Sequence, residues 1–173
     1  MQNNFKFLFI ICIAASMAFL SSCGKDDDGP AGSPIVGTWT YNAANLTITV
    51  NNQPLTTFLV STGEYTAAEA AAFEAFIKTT ILNETDLSGS ITFNADGTYR
   101  AVDGSDVETG TYTLTNNDTR LSLTSDGDTQ IVEVKELTNN RMVLKFSEEE
   151  PVDIDDDGVD ENVKFDFEFN FVK

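Results

Sequence analysis

At 173 residues, with 41% hydrophobic and 10% aromatic side chains, the chain has the size and apolar content of one globular domain with a sizeable core. Its formal net charge of −18 repels polyanions and argues against nucleic acid as a partner. It has no histidine, which removes Ser-His-Asp and Cys-His catalysis, imidazole acid–base work and His-ligated zinc, and its two cysteines, Cys12 and Cys23, make neither a disulfide framework nor a zinc site.

The chain opens with Lys6 and then an apolar run from Phe7 to Leu20 broken only by Ser16. This is the layout of a secretory signal, short for a membrane span, which needs ~20 apolar residues. It ends in Leu20-Ser21-Ser22-Cys23, which resembles the lipobox of bacterial lipoproteins, with residues 1–22 as signal peptide and Cys23 as the lipidated first residue. The alternatives are an ordinary signal with an accidental Cys, or an uncleaved anchor. Residues 23–34 then read as a flexible acidic tether, because Gly, Pro and like charges bury little surface. Lys25 followed by Asp26, Asp27 and Asp28 also resembles the export signal of surface-exposed lipoproteins of some Gram-negative bacteria. The expected location is the outer membrane, lipid-anchored and facing the cell surface, with a periplasm-facing anchor as the alternative. Without the signal the chain keeps nine basic residues against 28 acidic ones, so it touches membrane through its lipid only.

Residues 35–173 read as one β-rich domain. Ile35 to Tyr41 is expected as a first strand, Asn42 to Asn45 as a turn, Leu46 to Val50 as a second strand, and Thr56 to Ser61 as a third. The period then changes. Thr66 and Glu69 have the spacing of a capping box, and Phe73, Phe76, Ile77 and Ile81 recur at steps of three and four. This predicts one helix from about Ala67 to Leu82 within an insertion over about 64–83, with its Phe face packed, either bracing an open end of the sheet or acting as a movable lid.

From Gly89 onward, apolar and polar residues alternate between short turns such as Asp96-Gly97, Asn116-Asn117-Asp118, Asp126-Gly127 and Asn139-Asn140. The last strand places Phe165, Phe167, Phe169 and Phe171 on one side by its period of two. Short links imply antiparallel neighbours, so the fold class is mainly β: an up-and-down meander of about eight to ten strands closing into a barrel or half-barrel.

Gly37-Thr38-Trp39 resembles the Gly-X-Trp signature of lipocalins. The likeness widens through Ile91 to Tyr99, Gly110 to Leu114, Leu121 to Thr124 and Leu137 to Leu144 toward the lipocalin-like domains of Gram-negative bacterial lipoproteins. It implies a calycin-type β-barrel and a small hydrophobic ligand. The chain departs from that family in having no later paired Cys and no clear second or third signature. Interior residues, and hence candidate ligand contacts, are Trp39, Phe93, Tyr99, Tyr112, Leu123, Phe146, Phe167 and Phe169. Leu114, Val132, Val134 and Leu144 complete the inward set, around an interior either hollow or filled by side chains alone.

Between the last two strands, Glu148 to Glu161 holds nine acids and no base. Asp153, Asp155, Asp157 and Gly158 match the start of a calcium loop, with Glu161 at its ninth position, although Lys164 stands where an EF-hand has its twelfth-position Glu. The segment is either a weak calcium site or a solvated hairpin tip that keeps neighbouring strands from aggregating. Paired carboxylates serve glycoside hydrolysis, but these acids cluster on one loop or lie on outward strand faces, so no enzyme is expected. The expected function is therefore non-catalytic binding of a small hydrophobic ligand at the cell envelope. The alternative is a surface module for glycan or protein, with a filled barrel and a calcium-stiffened loop.

Overall fold

A computed structural model of the chain describes residues 32–84 and 88–173. The expected signal peptide, Cys23 and most of the tether lie outside the described residues. Nine strands and two helices follow in order: β1 Gly37–Val50, β2 Gln53–Pro54, α1 Leu55–Thr62, α2 Ala67–Glu84, β3 Gly89–Phe93, β4 Thr98–Asp103, β5 Asp106–Thr115, β6 Arg120–Ser125, β7 Asp128–Leu137, β8 Arg141–Val152 and β9 Glu161–Val172.

Each strand from β3 onward pairs antiparallel with its successor, and β1 pairs with both β3 and β9. The two-residue β2 adds only to the end of β1. The other eight strands therefore close an up-and-down antiparallel barrel with no free edge, which removes the unpaired backbone groups an open sheet exposes. The turns work as their residues require. Asn116, Asn117, Asp118 and Asp126 take positive φ, a conformation that Asn and Asp tolerate better than most side chains.

Three elements depart from the expectations above. Asn42 to Asn45 is no turn, because β1 runs through it with a bulge between Tyr41 and Ala43. The inward residues show why a bulge is needed: Trp39 is odd-numbered while Leu46, Ile48 and Val50 are even, so one extra residue must re-aim the strand. Thr56 to Ser61 is no strand but the body of α1. Leu55, Phe58 and Leu59 fall at helical spacing and are buried, Gly63 closes the helix with φ +83, and Ser61 and Thr62 hydroxyls donate to the Phe58 and Leu59 carbonyls.

The capping box of α2 forms: Thr66 N–H donates to Glu69 Oε2 at 2.9 Å and Glu69 N–H to Thr66 Oγ1 at 3.3 Å. Its expected apolar face is only partly packed. Phe73, Ile77 and Ile81 lie against the core, whereas Phe76 is 68% exposed, so the expectation of a wholly covered Phe face fails at that position. Among the described residues, no helix is long and apolar enough to cross a membrane.

Candidate functional site

The barrel has a floor at the β1 entry and a mouth at the far end, where α1, α2 and the β8–β9 connection lie. The floor is built around Trp39, which is fully buried and whose indole N–H donates to the Ile35 carbonyl at 2.6 Å. Lys173 lies across it, with Nζ 4.4 Å from the ring centroid and donating to the Pro34 and Val36 carbonyls at 2.6 and 2.8 Å. Partial burial lowers the Lys173 amine below its ordinary range. Gly37 fits this crossing for two reasons: its φ is +129, and a Cβ there would stand 3.0 Å from Lys173 Cε.

Above the indole, the Phe93 and Tyr112 rings meet edge to face at 4.9 Å, and the Tyr112 hydroxyl donates to the Asn94 carbonyl at 2.8 Å. Leu121 and Met142 are fully buried in the same core. This end is a solid plug of side chains.

Toward the mouth the packing is mixed: Val50 and Val163 of the wall and Leu55 and Leu59 of α1 are at most 1% exposed. Phe146 pairs with inward Phe167 and Phe165 pairs with inward Ile48, yet Phe146 and Phe165 are only half-buried. Polar residues take inward positions at the same height. Glu108 pairs with buried Ala101, Gln130 with buried Leu123, and Glu148 with Phe165, and all three are half-buried. A residue opposite an inward partner points inward too, so these three polar side chains face the interior while keeping some solvent contact. The Tyr99 hydroxyl donates to Glu108 Oε1, and burial, with that carboxylate second, pushes the phenol far above its ordinary range. Burial, with the Glu150 charge second, raises Glu148 above the ordinary carboxylate range.

All eight candidate ligand residues thus line one lumen, but not one pocket. Trp39, Phe93 and Tyr112 belong to the floor, Leu123, Phe167 and Phe169 are buried in the wall, and half-buried Phe146 and the Tyr99 hydroxyl lie in the upper part. Sequence reasoning missed Glu108, Gln130 and Glu148 inside the barrel. The signal was strand parity: Glu108 stands four before Tyr112, Gln130 two before Val132, and Glu148 two after Phe146.

The acidic tip is ordered by its own backbone. Asp153 accepts the Asp157 and Gly158 N–H groups at 3.1 and 2.9 Å, and Glu161, only 7% exposed, accepts the Ile154 N–H at 3.1 Å. Carboxylate oxygens of Asp153, Asp155 and Glu161 lie within 4.8 Å of one another. The Asp155 Oδ1 atom is buried with no hydrogen-bond partner. Asp157 is not part of this group; its Oδ1 accepts the Val159 N–H at 2.8 Å. Three converging carboxylates, one of which also carries a buried, unpartnered oxygen, are a donor set that suits a hard cation such as calcium, which takes oxygen ligands only.

The result is a closed antiparallel barrel with a solid apolar floor and with Glu and Gln among the inward positions toward the other end. The family model described as a lipocalin-like domain matches residues 60–144, from α1 into β8. That stretch is similar to a lipocalin-like domain, and the two strands that close the barrel, β1 and β9, lie outside it. A solved structure of a DUF4847 family protein from Bacteroides vulgatus aligns over 76% of this chain and 92% of its own at 16% identity. Its TM-score of 0.33 is too loose a superposition to carry structural detail across. No curated protein matches the chain.

Proposed function

We propose that the chain is a cell-envelope lipoprotein whose barrel binds a small hydrophobic molecule without catalysing a reaction on it. The observation that carries this is the half-buried state of Phe146 and Phe165 at inward positions above a sealed floor. Apolar rings that still meet water inside a barrel gain when an apolar ligand displaces that water. In this reading Cys23 carries the lipid and tethers the domain to the outer membrane, on the cell-surface side.

The test is titration with N-phenyl-1-naphthylamine, a neutral apolar fluorophore. One equivalent should saturate the barrel with a rise in emission, and Gln130→Phe, which fills the upper lumen, should abolish the rise. No emission change in the unmodified protein would overturn the reading. Lipidation has its own check: a mass gain at Cys23 that Cys23→Ala removes.

A second reading concerns the tip, favoured by the buried, unpartnered Asp155 Oδ1. Asp153, Asp155 and Glu161 would hold calcium there with a Kd of about 0.1–1 mM, as extracellular sites do. Calorimetric titration should give heat that Asp155→Asn eliminates; no heat at millimolar calcium would dismiss the site. Such an ion would stiffen the tip for contact with glycan or protein.

A further inference from the structure

The upper lumen presents one sign of charge. Its inward ionisable residues include the carboxylates Glu108 and Glu148, accompanied by the Tyr99 hydroxyl and Gln130, and Glu150 and Glu161 follow at the same parity toward the acidic tip. No described basic residue joins them. Those on strands alternate with inward neighbours and therefore point out: Arg100 follows Tyr99, Arg120 precedes Leu121, Lys145 follows Leu144 and Lys164 precedes Phe165. Lys145 and Lys164 are both ion-paired to Asp166 on that outer side. Lys135 and Arg141 pair with the part-exposed Glu133 and Glu136, Lys78 pairs with Glu74 along α2, and Lys173 is committed at the floor. A carboxylate headgroup entering this lumen would meet like charges in a partly desolvated space with no cation to receive it, whereas a cationic headgroup would meet two carboxylates.

We infer that the barrel selects an apolar ligand bearing an amine or other cationic head, and discriminates against fatty acids. This rests on the ligand-binding reading above and specifies its chemistry. The apolar part would lie against Phe146 and Phe165, with the cation placed between Glu108 and Glu148.

Displacement of bound N-phenyl-1-naphthylamine by dodecylamine, dodecanol and dodecanoate tests this at pH 7.4, each below its aggregation threshold. Dodecylamine should displace the dye at a concentration at least about tenfold lower than dodecanoate, as a favourable against an unfavourable charge contact requires. Glu108→Gln with Glu148→Gln should shrink that gap to about threefold or less, and Glu148→Gln alone should close part of it. Glu133→Gln with Glu168→Gln, on the outer face, should leave the gap intact, which separates lumen charge from the overall negative charge of the chain. Equal displacement by dodecanoate and dodecylamine, or a gap that survives the lumen substitutions, overturns the charge selection alone. Failure of the protein to bind the dye or any of the three chains overturns the binding reading with it.

Discussion

The two ends of the same barrel are built to opposite specifications. At the floor, Trp39, Phe93, Leu121 and Met142 are at most 1% exposed, and every polar atom of the indole and of Lys173 named above has a partner. Toward the mouth, inward positions hold half-buried Phe beside Glu and Gln. The same strands run through both regions, so the contrast cannot come from backbone architecture. It comes from which residues sit at the inward parity: large and apolar below, and above a mixture of buried Ile48, Val50 and Val163 with half-buried Phe, Glu and Gln.

Substitution can sharpen or break that contrast. The largest expected effect is Trp39→Ala, which should cost about 3–5 kcal/mol in urea unfolding because it empties a fully enclosed volume. Phe146→Ala, at a half-buried ring, should cost about half as much or less; equal losses at the two sites would erase the distinction. Next comes Lys173→Met, which removes two charge-assisted hydrogen bonds from a partly solvated amine and should cost about 1–2 kcal/mol, with a shift in indole emission.

The smallest effect is pH-dependent. Burial alone would raise Asp166, but hydrogen bonds from Ser147 and Lys145 and the charges of Lys145 and Lys164 outweigh it and hold the carboxyl below its ordinary value. A depressed native pKa means stability that is present above the ordinary carboxylate range and is lost as pH falls through the native value. The Asp166→Asn variant should therefore lie below the unmodified protein at pH 7 and converge with it as pH falls through the lowered native value of the carboxyl. A difference that widens in acid would contradict that sign.

Much of this was legible in the sequence. The alternation from Gly89 onward and the Asn and Asp turns predict antiparallel neighbours, and the likeness of Gly37-Thr38-Trp39 to the lipocalin signature implies the closed barrel. The misses have local causes. Thr57, Val60 and Thr62 carry strand-like β-branching, which hid the helical spacing of Leu55, Phe58 and Leu59 and the stop at Gly63. The bulge after Tyr41 was hidden because a period-two reading expects no change of parity within a strand, so the shift was read as a turn. Phe76 was placed on the packed face by spacing alone, and a helix resting on one side of a barrel mouth need not cover every ring of a wide apolar stripe. The lumen carboxylates were overlooked because charge on a strand is ordinarily solvent-facing; only the pairing partners reveal the inward positions of Glu108 and Glu148.

The division of the barrel is tested most directly by amide and indole NMR during titration with dodecylamine. Shifts should concentrate at Phe146, Glu148, Gln130 and Glu108 and saturate at one equivalent, while the single indole N–H signal of Trp39 stays in place. Saturable shifts centred on Trp39, Phe93 and Leu121, with the upper residues unmoved, would contradict it.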